Sequence, residues 1–262
     1  MINEGLFERI EEASALLLEL TGAPPEVGII AGARLEGLIA AIEKTSIISC
    51  DEVPHLPEYW KPVEGGGLHF GKLGGKQVVA VGKQLDPDRN HSMEDLVFPV
   101  RLMKGMGAGT LIICDFVRGL EPVLKPGTIV ILDDHINLLW DNPLLGSNDE
   151  RIGPRFPDMS AAYSRRLKEL ALHLADEERI PLHDGVYAAV VDLNLVTEGE
   201  LDFIRSVGAD VAGDCVVPDV IAAVHQGMEV MVLSVVMDDQ MSGLDRAVTN
   251  LRSLLSRVIE EL

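Results

Sequence analysis

Thr110-Leu-Ile-Ile-Cys114 and Thr128-Ile-Val-Ile-Leu132 decide the fold class of this chain. Each is a short run of apolar, mostly β-branched side chains without polar alternation, the pattern of a strand buried on both faces. Outward from them, Val27 to Ala31, Gln77 to Gly82, Gly185 to Val191 and Glu229 to Met237 read the same way. Helical patterns separate these runs. Leu6, Ile10, Ala13, Leu17 and Leu20 recur at helical spacing, and Gly22 with Pro24-Pro25 ends that helix. Arg34 to Lys44 reads as helical. Ser92-Met-Glu-Asp95 starts a helix reaching about Lys104, and Thr197-Glu-Gly-Glu200 is a second capping box. Ser164 to Ala175 is helical, Pro218 suits the first turn of a helix reaching His225, and Leu244 to Leu262 closes the chain. Ser46 to Gly67 and Asp133 to Asp158 are rich in Pro and Gly and read as irregular. Buried strands alternating with helices predict an α/β fold with a mainly parallel sheet covered on both faces. No repeat, low-complexity tract or linker interrupts the 262 residues, so one domain over residues 1–262 is the simplest organisation.

Acidic residues outnumber basic ones 42 to 22, a formal charge of −20, which repels nucleic-acid phosphates and anionic lipid headgroups. No nucleic-acid or membrane partner is expected. Cys50, Cys114 and Cys215 are scattered, form no CxxC pair or disulfide framework, and point to a reducing cytoplasm. The first twenty residues carry Glu4, Glu8, Glu11, Glu12 and Glu19, so they read as neither a signal peptide nor a membrane span.

One long stretch is distinctive: Asp133-Asp-His-Ile-Asn-Leu138, then Asn142-Pro-Leu-Leu-Gly-Ser-Asn-Asp-Glu-Arg-Ile-Gly-Pro-Arg-Phe-Pro-Asp-Met-Ser160. It resembles the DHINL and NPLxGxNDExxGxRFPxMS segments of the trimeric purine nucleoside phosphorylases. Further matches lie in register at Phe70-Gly-Lys-Leu-Gly-Gly75, Phe98-Pro-Val-Arg101, Gly119-Leu-Glu-Pro122 with Lys125-Pro-Gly127, Gly208-Ala-Asp210 and Val217-Pro218. The resemblance covers nearly the whole chain. It implies a mixed sheet with flanking helices, a homotrimer, and attack of phosphate on the anomeric carbon of a purine nucleoside, a pentosyltransferase reaction. It implies no metal or organic cofactor.

The positions where the family holds its substrates are mostly replaced. The first phosphate loop, GSGLG in the family, is Gly32-Ala-Arg-Leu-Glu36, so Ala33 stands where a serine donates. The second, GRFHxYEG, falls on Lys83 to Asn90, where Gln84 replaces an arginine and Asp86 a histidine, with Asp88 and Arg89 at the ribose-contacting tyrosine and its neighbour. The GHAG turn is shortened to Gly65-Gly-Gly67, and its histidine is missing. NAAGG becomes Asp115-Phe-Val-Arg-Gly119, placing Phe116 at a phosphate position. On the purine side an aromatic–glutamate pair falls on Leu195 and Val196, a methionine–serine pair on Asp214 and Cys215, and an asparagine on Asp238. A histidine near the C-terminus has no counterpart. A hydrogen bond to a charged group contributes about 1.5–3 kcal/mol, so losing three or four phosphate donors forfeits roughly 5–10 kcal/mol. Asp86 adds repulsion of about 4 kcal/mol if it lies about 4 Å from the anion at an effective dielectric of 20. The resemblance therefore predicts inherited phosphorylase chemistry with ordinary phosphorolysis very weak or absent.

The replaced site admits several readings. Arg34, Arg89 and Arg118 form a charged network with Asp115 and Asp214, or the aspartates, with Asp192, accept from a cationic or amine-bearing small molecule in the cleft. A hard-metal site and a surviving phosphorylase or hydrolase are further options, and Asp238 suits a purine with a 6-amino group. Two function classes follow: a phosphorylase-family enzyme, and a non-catalytic trimeric scaffold or binder. Among the remaining residues, Cys114 and Cys215 read as buried, inert thiols, His135 as a structural hydrogen-bonder, and Trp60 as packing. Met228, Met231 and Met237 fit a buried strand.

Overall fold

The computed structural model describes residues 5–32, 35–57, 60, 67–82, 91–238 and 243–262. In chain order the strands are β1 (Val27–Ala31), β2 (Glu43–Ser49), β3 (Gly67–Leu73), β4 (Lys76–Gly82), β5 (Thr110–Gly119), β6 (Ile129–Asn137), β7 (Leu182–Ala189), β8 (Val211–Gly213) and β9 (Glu229–Val236). The helices are α1 (Leu6–Thr21), α2 (Glu36–Ile39), α3 (Met93–Leu96), α4 (Phe98–Gly105), α5 (Arg165–Glu178), α6 (Glu198–Ser206), α7 (Val217–His225) and α8 (Leu244–Glu260).

The strands form a mixed sheet in the order β2-β3-β4-β1-β5-β8-β7-β6-β9, with a further pairing of β5 to β9. The central strand β1 is buried at every position and runs parallel to both β4 and β5. β5 continues parallel to β9 along its length, and its end at Arg118–Gly119 turns antiparallel to β8. The last five strands thus close into a ring, β5-β9-β6-β7-β8, with β6/β7 and β7/β8 parallel and β6/β9 antiparallel.

Strand alternation sends side chains into two separate cores. Leu111, Ile113 and Val117 of β5 meet Ile10 and Leu17 of α1, Val100 and Leu102 of α4, and Val217 and Val220 of α7. Ile112 and Cys114 face the opposite way, toward Leu38 of α2, Leu167 and Leu174 of α5, and Leu251, Leu254 and Val258 of α8. Each such fully buried leucine contributes about 1.5–3 kcal/mol relative to an exposed one. Among the described residues, no helix is long and apolar enough to cross a membrane.

The local signals form as expected. Gly22 ends α1 at φ 71°, its N–H donating to Leu18 O at 2.9 Å. The Ser92–Asp95 and Thr197–Glu200 capping boxes are both closed. The helix expected from Ser92 to Lys104 is divided at Val97, because Pro99 has no N–H to carry the hydrogen-bond ladder across the junction.

Other expectations are corrected. Arg34 to Lys44 is not one helix: α2 covers only Glu36–Ile39, and the chain is extended from Glu43. Nor is Ser46 to Gly67 wholly irregular. Ile47 and Ile48 belong to β2, which pairs antiparallel with β3, and the partial exposure of β2 hides the burial signal that marks central strands. Gly74 and Gly75, at φ 56° and 79°, supply the left-handed pair that a tight hairpin between β3 and β4 requires. The segment from Asp133 to Asp158 begins as strand, since β6 runs on to Asn137 against β7. β7 starts at Leu182, earlier than Gly185, and three-residue β8 is too short to show periodicity.

Candidate functional site

β1, β5 and β9 run parallel, so their C-terminal ends meet at one edge of the sheet. Gly32 extends the ladder, donating its N–H to Cys114 O at 2.7 Å. The next residue on β5, Asp115, turns toward the side shared by Ile113 and Val117 and is only 7% exposed. Its Oδ1 lies 2.8 Å from where a Cβ on Gly32 would stand, so the glycine is needed for this close approach. Across the sheet Asp115 is in register with Ser234, which is fully buried and whose hydroxyl has no hydrogen-bond partner.

Tyr187 of β7 completes this polar pocket. Burial, then the nearby carboxylates of Asp115 and Asp214, push its phenol well above the ordinary value. Its hydroxyl accepts the Cys215 N–H at 3.4 Å, and a Cβ on Gly213 would collide with it. The Cys215 thiol donates to Asp214 Oδ1 at 2.8 Å. Cys114 is pushed up to about 12 by burial and by Asp115, which makes it inert as a nucleophile. Cys215 is half-buried, a correction to its reading as a buried thiol, because it lies beyond the end of β8 where the sheet no longer covers it. Asp115, Asp214, Tyr187 and Cys215 are therefore brought together at this edge of the sheet.

Where β5 ends, a cleft of about 490 Å³ opens, lined by Arg118, Leu124, Leu193, Asn194, Met237 and Asp238, among others. Arg118 and Asp238 thus share a wall. Arg118 pairs with Glu198 of α6 at 3.1 Å, not with Asp115 or Asp214, because three positions along a strand separate it from Asp115 and turn it to the other face. Phe116 packs against the core beneath the sheet, among the Ile112 and Leu254 group. Val196 packs beside Leu201 and Ile204 of α6, whereas Leu195 is 76% exposed. The Asp192 carboxylate accepts from the Asn194 N–H at 2.9 Å and shapes the turn before α6. Ala33, Arg34, Gln84, Asp86, Asp88 and Arg89 lie outside the described residues. Among the described residues, no three His, Cys, Asp or Glu side chains are grouped to hold a metal ion.

The Asn142 to Ser160 segment is built differently. Asn142, Asp149 and Asp158 each accept a backbone N–H two residues on, from Leu144, Arg151 and Ser160. Arg155 donates to Leu144 O at 2.8 Å, and Arg151 reaches Glu8 of α1 at 2.8 Å while stacking over Phe7. His135 makes the structural bond expected of it, to the Tyr163 hydroxyl at 3.0 Å. Trp60 is buried and donates to Asp95 O at 3.0 Å. Trp140, Leu145 and Phe156 stand exposed around this segment. Tyr187, Ser234 and the buried Arg101 escaped the sequence reading. No local pattern marks them, although Arg101 sits in the Phe98-Pro-Val-Arg match.

A profile of the phosphorylase superfamily matches residues 26–260. Purine nucleoside phosphorylase 1 of Geobacillus stearothermophilus is 36% identical over 241 residues, covering 92% of this chain and 88% of the relative. Purine nucleoside phosphorylase of Mus musculus is 34% identical over 241 residues, covering 90% and 83%. The crystal structure of isoform 2 of purine nucleoside phosphorylase from Schistosoma mansoni, in complex with cytosine and ribose-1-phosphate, superposes with a TM-score of 0.90 at 30% identity, covering 98% of this chain and 97% of that one.

Proposed function

This chain belongs to the phosphorylase superfamily, among its purine nucleoside phosphorylases, and we propose that it keeps the family's frame but has lost ordinary phosphorolysis. The observation that carries this reading is the buried Asp115 carboxylate. Its Oδ1 stands 2.8 Å from where a Cβ on Gly32 would lie, at the head of the segment matching the first phosphate loop, with Asp214 close by. An ionised carboxylate only accepts hydrogen bonds, so it offers a phosphate oxygen no donor. The replaced donors forfeit roughly 5–10 kcal/mol. Since each 1.4 kcal/mol is about tenfold in rate, turnover falls by several orders of magnitude.

The cleft beside Arg118, Asn194 and Asp238 supports a second reading, a binder of a different small molecule. Phe116 packs into the core, and Arg118 reaches out to Glu198, so neither fills it. Asp238 stands in its wall where the family has an asparagine, and Arg118 and Asn194 line it too. The assembly in this proposal is a homotrimer, supported by the exposed Trp140, Leu145 and Phe156 around the segment that resembles the family most closely. Its compartment is the cytoplasm, in keeping with three free cysteines.

Steady-state assays with inosine, guanosine and adenosine plus phosphate test the proposal. Turnover should lie far below 1 s⁻¹, against roughly 10 s⁻¹ for a median enzyme, and calorimetry should register no tight binding of inorganic phosphate. Turnover near 1 s⁻¹ would overturn it.

A further inference from the structure

We propose that His225 is an acid-released latch for the 142–160 segment, holding it on the body of the protein through a ring that must stay neutral. The ring ends α7 and is 4% exposed, set between α4 and that segment. On one side Arg101 Nη1 of α4 lies 3.4 Å from Nδ1. An arginine only donates, so Nδ1 accepts. On the other side Nε2 lies 3.2 Å from Asn148 Oδ1, and the Gly153 and Pro154 carbonyls also face the ring as acceptors. Asn148 in turn donates to Gly153 O at 3.0 Å. This arrangement selects the neutral tautomer protonated at Nε2. A second proton would have to enter at Nδ1, against a guanidinium.

The surrounding charges act in the same direction. Burial first, then Arg101, lowers the ring's affinity for a proton. Arg155 of the segment lowers it further, while the Gly153 and Pro154 carbonyls only partly oppose this. Arg101 is itself 2% exposed, held down to about 10 by burial, and the Glu94 carboxylate of α3 is the charge opposing that shift. Asp219 lies near the other end of α7.

The sign of the pH dependence follows. Once the segment lifts, His225 returns to water and an ordinary value near 6.5. The latch is therefore fully engaged above about pH 6.5 and weakens as pH falls from there toward the lowered value, by up to about tenfold in the opening equilibrium per pH unit. Asp149 and Asp158 are held below the usual carboxylate range by Arg151 and Ser160, so they titrate under this window. His135 is also lowered, mainly by burial, and is the competing titrant.

Hydrogen exchange of the intact protein from pH 8 to pH 5, corrected for intrinsic rates, tests the latch, with a parallel NMR titration of the His225 ring. Peptides spanning 142–160 should lose protection by about tenfold per pH unit in the window while those of β5 stay flat. His225→Gln, which cannot titrate, should abolish that dependence and leave His135 in place. Loss of protection in step with β5, a flat profile in the wild type, a ring titrating at or above 6.5, or an unchanged profile in H225Q would each overturn the proposal. If H225Q does not fold, the wild-type titration and exchange decide alone.

Discussion

The Asn142–Ser160 segment and the strand-end pocket lie in one chain but are built by opposite rules. The segment has little regular structure, yet its turns are closed by Asx side chains and it is seated on α1 through Arg151 and on α7 through Asn148. The pocket stands on the most regular part of the sheet but buries Asp115, Tyr187 and an unpartnered Ser234 hydroxyl. A loop can close its turns with its own side chains, and a regular strand can bury a hydroxyl that has no partner.

Three substitutions probe that contrast, beyond the turnover assay already described. The largest effect belongs to Gly153→Ala. A Cβ there would collide with the carbonyl oxygen of His225, a backbone atom that cannot move aside. Unfolding free energy should fall by about 3 kcal/mol or more, measured in denaturant. A loss under about 1 kcal/mol would show the segment is loosely seated. Next comes Ser234→Ala in the pocket. The hydroxyl is buried with no partner, so its removal should be neutral or stabilising by up to about 1 kcal/mol. A clear loss would mean the hydroxyl serves a bond formed in solution. The smallest effect belongs to Arg118→Ala at the rim. Its pair with Glu198 is exposed on both sides, so stability should change by less than about 0.5 kcal/mol in a thermal melt. A larger change would place Arg118 in the structural frame of the pocket.

Much of the site could be located from sequence but not assembled. Asp115, Asp214, Cys215 and Asp238 were singled out from the matching motifs, and the first three converge around Tyr187 while Asp238 lines the cleft. Arg118 was singled out too, but its partner is Glu198, eighty positions away. β2 was missed because its mixed exposure resembles a loop when the pairing strand is unknown.

What the amino-acid order determined alone is local: the unbroken apolar runs of β1, β5 and β9, the capping boxes at Ser92 and Thr197, the stop at Gly22, and the family likeness carried by residues 133–160. These depend on neighbours within a few positions, where sterics and hydrogen bonding act without long loops to close. Only the tertiary structure decided that Asp115 stands opposite Ser234, that Tyr187 reaches Cys215, and that His225 sits between Arg101 and Asn148. Each of those meetings depends on the register of strands or the seating of helices far apart in the chain. A shift of one residue in a strand would send the side chain to the other core.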